Sequence, residues 1–383
     1  MSEQYRIQTK LLHNEHKVHQ ETGAVSVPIH HSSTFHQYSF DKFGNYEYAR
    51  GSNPTRKALE EVIADLEGGI RGFAFSSGMA AISTAFMLLS KGDHVLITED
   101  VYGGTYRFVT QVLSKFGIEH TFVDMTNLEE VVSKLKANTK LIYIETPSNP
   151  TLKITDIKSI VKIAKTNKCL TFCDNTFLTP VFQKPLELGV DVVLHSATKF
   201  LGGHSDVVAG LAVVKDEELG EQLAFLQNSF GAILGVQDSW LVLRGLKTLH
   251  VRMKASSQSA QILANWLYER KEIKTVYYSG LEHHPGKVIQ DQQSSSHGAV
   301  LSFEFSTRQQ AKSFVEKVKL PVFAVSLGAV ETILSYPATM SHGSMPEAER
   351  LKRGITDGLL RLSVGLEDVN DLISDFEQAL DRL

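Results

Sequence analysis

Three stretches of this 383-residue chain combine residue types at spacings that could do chemistry. HSATKFLGGHSD, His195 to Asp206, sets Lys199 behind Ser196 and Thr198 at the end of the apolar run DVVL. Asp174 closes another apolar run, CLTFC, and is followed by Asn175 and Thr176. SSGMAAIS follows GFAF as a small-residue turn opening a helix, whose free N–H groups and positive end suit a phosphate. Singly, each has an ordinary reading. A lysine at a strand end is usually solvated, an Asp there caps a turn, and Ser76 or Ser77 is a plain helix cap. Together, a phosphate cradle, an acid to keep a ring nitrogen protonated and a lysine for a Schiff base are what pyridoxal phosphate (PLP) requires. A protonated pyridine accepts the electrons of a Cα carbanion, and the lysine, once displaced by substrate, moves protons. Tyr102 in EDVYGGT can lay its ring on the pyridine, and Asn149 in ETPSNP can donate to the ring hydroxyl. Both are otherwise common turn residues.

These residues need elements to hold them. From about residue 70, the β-rich runs GFAF, HVLIT, EHTFVD, TKLIYIE, CLTFCD and DVVLH alternate with stretches of helical period. That alternation predicts an α/β fold with a mostly parallel sheet flanked by helices, its ligands at the carboxyl ends of the strands. After about residue 245 the character changes. The long helix candidate KTLHVRMKASSQSAQILANWLYER is followed by strands KTVYYS, AVLSFEFS and LLRLSVG and by a helix starting near Glu367, which suggests a smaller α+β domain. The expected organisation is an N-terminal arm over 1–50 contacting another subunit, a cofactor-binding α/β domain over 51–245 and a C-terminal α+β domain over 246–383.

Composition excludes other classes. With 42% hydrophobic and 21% charged residues the chain can bury a large core, and a formal charge of −4 offers no broad basic field to nucleic acid. No apolar run nears the ~18 residues of a membrane helix, and MSEQYRIQTK has no apolar export core, so a soluble, cytoplasmic protein is expected. Signatures of phosphate-loop hydrolases, nicotinamide enzymes, serine hydrolases and zinc proteases are absent. The His13–His16 and His283–His284 groups lack acidic or thiol partners at ligand spacing and read as solvated surface, so no metal site is expected. Cys169 and Cys173 on one strand would stand roughly 13 Å apart at ~3.3 Å per residue, too far to bridge. They read as two reduced, half-buried thiols.

Over nearly its whole length the sequence resembles the Cys/Met-metabolism family of PLP-dependent enzymes, fold type I. The resemblance is carried by YEYARGSNPTR, SSGMAA, DVYGGTYR, ETPSNPTL, DNTF, HSATKFLGGHSDVVAG, SLGAVETILSYPATMSH and GLLRLSVGLED. It implies that Lys199 links to the cofactor, Asp174 pairs with the ring nitrogen, Tyr102 stacks on the ring, and Gly78, Met79, Ser196 and Thr198 hold the phosphate, with Thr176 among the cofactor contacts. It also implies a homotetramer, a dimer of dimers with shared sites, in which Tyr48 and Arg50 reach the phosphate of the partner subunit. An arginine suits that task through paired hydrogen bonds. Arg361 alternates with Leu360, Leu362 and Val364, so from pattern alone it faces away from the packed side of its strand, toward solvent. The resemblance instead makes it the fork for a substrate α-carboxylate, helped by Ser326 and Asn149. Many γ-acting members carry Glu immediately before that Ser; here Val325 stands there and cannot contact the polar far end of a substrate. The resemblance therefore points to β-elimination of L-cystathionine to homocysteine, pyruvate and ammonia, a step toward methionine. γ-Elimination, γ-replacement on O-acetylhomoserine and non-catalytic amino-acid binding are the alternatives.

Overall fold

The computed structural model describes residues 5–13, 19 and 21–383; His16 of the first histidine pair lies outside them. The strands are β1 (Arg71–Phe75), β2 (His94–Thr98), β3 (Glu119–Val123), β4 (Thr139–Glu145), β5 (Leu170–Asp174), β6 (Val192–Ser196), β7 (Gly210–Val214), β8 (Ile273–Tyr277), β9 (Val300–Phe305), β10 (Val322–Phe323), β11 (Ile333–Ser335) and β12 (Leu359–Ser363). The first four helices among the described residues are α1 (Ile7–Leu12), α2 (Pro54–Glu67), α3 (Gly78–Phe86) and α4 (Gly103–Gln111). The chain divides into two compact units, Met1–Leu88 with Lys184–His250, and Leu89–Gln183 with Val251–Leu383.

In the first unit the strand order is β1-β7-β6. β7 runs antiparallel to both neighbours, with Ser196 opposite Gly210 at the end of the β6–β7 pair. This antiparallel strand is consistent with a sheet expected to be mostly, not wholly, parallel. Gly210–Val214 is a continuous apolar run buried at every position, so it carries no alternation by which to pick it out. α2 starts where Asn53 accepts the Thr55 N–H and Pro54 fixes the first turn, and it stops at Gly68, whose φ of 76° only glycine takes easily. Its Leu59, Val62, Ile63 and Leu66 face the core.

In the second unit β5-β4-β2-β3 are parallel. Their carboxyl ends carry Asp174, Glu145, Thr98 and Val123. A second sheet has the order β10-β11-β12-β9-β8. Phe303, Phe305, Phe314, Phe376, Leu263 and Leu267 form its core with the helices Leu249–Tyr268 and Val369–Leu380. The last helix begins two residues beyond Glu367, because Asp368 caps it by accepting the Asn370 N–H. β12 lies between β11 and β9 and is buried along its whole length.

Neither cysteine is in a disulfide, and both are buried rather than half-buried. His283 is exposed with its ring stacked on Tyr268 at 4.2 Å. His284 departs from the solvated reading: burial lowers its pKa to about 4.

Candidate active site

The first unit supplies the lysine and an anion cradle. Ser77 caps α3, its hydroxyl accepting the Ala80 N–H at 3.0 Å. The Gly78 and Met79 N–H groups stand in the first turn, where no intrahelical acceptor exists. A Cβ on Gly78 would lie 2.8 Å from the Cβ of Ser196, so only glycine lets the helix end and the end of β6 approach this closely. The capping role and the phosphate cradle are thus compatible readings of one turn. Behind Ser196, the ring of His195 meets Glu67 at 2.6 Å, both wholly buried. The chain then turns through Lys199, whose N–H donates to the Ser196 carbonyl at 3.1 Å while its own carbonyl accepts from Gly203. Thr198 is a clamp: its hydroxyl donates to the Ala209 carbonyl at 3.2 Å and accepts the Ala209 N–H at 3.0 Å. In the arm, Arg50 Nε donates to Asn228 at 3.0 Å, with the guanidinium 5.5 Å from the centre of the Tyr48 ring.

The second unit supplies the acid, the aromatic ring and the arginine. Asp174 Oδ1 accepts the Thr176 N–H at 3.0 Å, so the turn-capping reading holds as well. Tyr102 is the residue immediately before α4 and is 40% exposed. Its backbone N–H donates to Glu145 Oε2 at 3.0 Å.

Arg361 corrects the solvent-facing reading outright, being 2% exposed. Alternation fails there because β12 is covered on both faces. Its Nη1 donates to Asn149 Oδ1 at 3.1 Å, and its Nη2 donates to the Ser326 carbonyl at 2.5 Å and to Ser335 Oγ at 3.1 Å. Nε is buried without a partner. Burial lowers the guanidinium pKa to about 10, which leaves it cationic at neutral pH. A buried cation with a free N–H is ready for an anion. Asn149 spends its oxygen on Arg361 and keeps its NH2 to donate elsewhere. Ser326 sits at φ 86°, a backbone cost of roughly 1–3 kcal/mol for a non-glycine residue. The strain presents its carbonyl to Arg361. Val325 beside it is 64% exposed.

Three further residues enter here that pattern reading passed over. Glu145 ends β4 as Asp174 ends β5, and the two are register partners. Burial, and then the Asp174 charge, push the Glu145 carboxyl well above the usual range. Asp100 is buried, accepts from the Ser148 and Thr151 hydroxyls, and is likewise raised by burial. His342 is buried next to Ser341, whose hydroxyl meets its Nδ1 at 2.9 Å. The signal for Glu145 was available: an acidic residue at the end of an apolar strand, the feature that singled out Asp174; Asp100 stands two residues past β2 and lacks it.

The residues fit PLP in each unit by itself: a helix N-terminus narrowed by Gly78 beside a lysine turn in one, a strand-end acid with an adjacent aromatic residue in the other. Among the described residues no group of three or more His, Cys, Asp or Glu is arranged to hold a metal ion, and no helix is long and apolar enough to cross a membrane.

Comparison with known proteins places this geometry. The chain is 67% identical over 379 residues to a cystathionine beta-lyase MetC of Bacillus subtilis, covering 99% of this chain and 97% of the relative. It is 52% identical over 375 residues to a cystathionine gamma-lyase of the same organism, covering 98% of this chain and 99% of the relative. The crystal structure of a cystathionine gamma-lyase from Lactobacillus plantarum, complexed with L-serine, matches with a TM-score of 0.96 at 46% identity, over 98% of this chain and 99% of that one. The fold is that of the fold-type-I α/β enzymes. Residues 8–381 match the profile of the Cys/Met metabolism PLP-dependent enzymes, and the chain belongs to that family.

Proposed function

We propose that the chain is a carbon–sulfur lyase that carries out β-elimination on L-cystathionine, giving homocysteine, pyruvate and ammonia with uptake of one water. The observation that carries this reading is the contrast within one organism: 67% identity to its beta-lyase against 52% to its gamma-lyase. Val325 supports it, since an exposed apolar side chain beside Ser326 offers no charge to the far end of a substrate.

Bound PLP supplies an electron sink conjugated to the substrate Cα. The chain's own residues do the rest. Arg361, with Nε free, holds the α-carboxylate, and Asn149 and Ser326 hold Arg361. Holding the carboxylate would orient the Cα–H bond, and the Lys199 amine would be the base that takes the Cα proton. Asp174 would keep the ring nitrogen protonated, Tyr102 would stack on the ring, Thr176 would join the cofactor contacts, and Gly78, Met79, Ser196 and Thr198 would hold the phosphate. No proton shift at Cβ is needed when the sulfur leaves from Cβ itself.

We further propose a cytoplasmic homotetramer, in which the 1–50 arm of one subunit brings Tyr48 and Arg50 to its partner's cofactor. Support comes from the arm's surface: Tyr38, Phe40 and Phe43 are exposed, Phe40 at 95%, and exposed aromatic side chains grouped in one segment suit an interaction surface.

Incubating the purified enzyme with L-cystathionine and separating the keto acids tests the activity. Pyruvate with homocysteine is expected. 2-Oxobutanoate with cysteine would replace the β assignment by the γ one.

A further inference from the structure

Glu145 is 6% exposed at the end of β4, in register with Asp174 on β5. It is bonded to backbone: Oε2 accepts the Tyr102 N–H at 3.0 Å. Two carboxyl groups at adjacent strand ends repel when both ionise, and burial makes the second charge costlier still. Burial, Asp174 and Asp100 all raise the Glu145 carboxyl. Yet its acceptor function is used, and used on the residue whose ring is assigned to the cofactor.

We propose that Glu145 is a positioning residue that works uncharged, tying the Tyr102 backbone to the strand end that carries Asp174 and leaving the anionic role at that end to Asp174. The inference rests on the assignment of Tyr102 and Asp174 to PLP. Its chemistry makes a definite demand. Glutamine keeps an oxygen for the Tyr102 N–H and has no charge, so it should substitute. Leucine has no acceptor and leaves the N–H buried and unpaired.

The test uses the full-length, PLP-loaded protein as wild type, Glu145→Gln and Glu145→Leu. Visible circular dichroism of the bound cofactor reads ring orientation, steady-state kinetics on cystathionine read function, and an infrared difference spectrum reads the protonated carboxyl. Expected are an acid C=O band in wild type at neutral pH that Glu145→Gln removes, and a near-native dichroic band in that variant with kcat/KM within about threefold. Glu145→Leu should weaken the dichroic band and lower kcat/KM about tenfold or more. The proposal is overturned if Glu145→Gln is as impaired as Glu145→Leu, if Glu145→Leu behaves as wild type, or if wild type shows no acid band. Should Glu145→Leu not fold, the infrared band and the glutamine variant still decide. A wild type that forms no pyruvate yet shows the expected dichroic and infrared results sinks the β-elimination reading and leaves this one standing.

Discussion

Arg361 is where a period-2 pattern and burial part company. An arginine between two leucines reads as solvent-facing only if one face of its strand is wet, and β12 has no wet face. A buried guanidinium must then be satisfied, and Asn149, Ser326 and Ser335 leave only part of it for a ligand. Arg361→Lys keeps the charge and loses the planar fork. It should raise KM for cystathionine about 30-fold, matching a loss of ~2 kcal/mol of charge-assisted hydrogen bonding, with pyruvate still the product. Unchanged KM in steady-state assays would remove Arg361 from substrate binding.

His342 yields a second residue-scale expectation. Burial first, and the Arg361 charge next, lower its pKa to about 4, against about 6.5 in an unfolded chain. As pH falls, the unfolded chain takes up this proton before the folded one does. The stability that a neutral His342 permits is therefore complete above pH 6.5 and is lost progressively toward pH 4. His342→Gln carries no such group. In urea melts at several pH values, the unfolding free energy of wild type minus that of the variant should be flat above pH 7 and fall between 6.5 and 4. A difference that stays flat would mean His342 titrates normally.

Among the elements, legibility followed punctuation. The parallel strands and α3 were readable because each apolar run ends in turn residues and each site residue sits just past such an end. β7 has neither alternation nor a clear boundary, and β11 has only three residues; both become strands through their neighbours, a tertiary effect that local sequence does not carry. Residues of the candidate site stand out in the sequence where a side chain has an unusual type for its place, as Lys199 and Asp174 do. Asp100 and His342 act through burial, which pattern alone does not disclose. The start of α4 shows what motifs conceal. The Gly103 of DVYGG has its reason in Ser341, whose carbonyl oxygen would sit 2.0 Å from a Cβ there. Gly103→Ala must push the two segments apart, at about 1–3 kcal/mol for overpacking. The midpoint of urea unfolding should fall, and KM should rise because Tyr102 and His342 flank the clash. An unaltered midpoint would show that the loop yields freely.

For the whole molecule the question is whether one chain holds a complete site. If Tyr48 and Arg50 serve the partner's cofactor, Arg50→Ala and Lys199→Ala subunits fail for complementary reasons. Each variant alone should be nearly inactive. After co-refolding equal amounts, about a quarter of the sites should combine an intact Lys199 with an intact Arg50 from the neighbour, by the statistics of a two-fold pair. Recovery of activity to that level in a pyruvate assay is expected; none would place each site within a single chain.

The antiparallel course of β7 bears on how such a protein comes to fold. Parallel neighbours are joined by crossovers of a dozen residues or more, and contacts distant in sequence slow folding. β6 and β7 are joined by residues 197–209, a shorter connection than residues 99–118 between the parallel β2 and β3, pinned at Ser196 and Gly210, and closing a loop of that length is entropically mild. Lys199 rides on this loop, with Thr198 and Ala209 fastening its neck. The segment bearing Lys199 can take its shape early, from local contacts, before the parallel strands of the other unit have found their order.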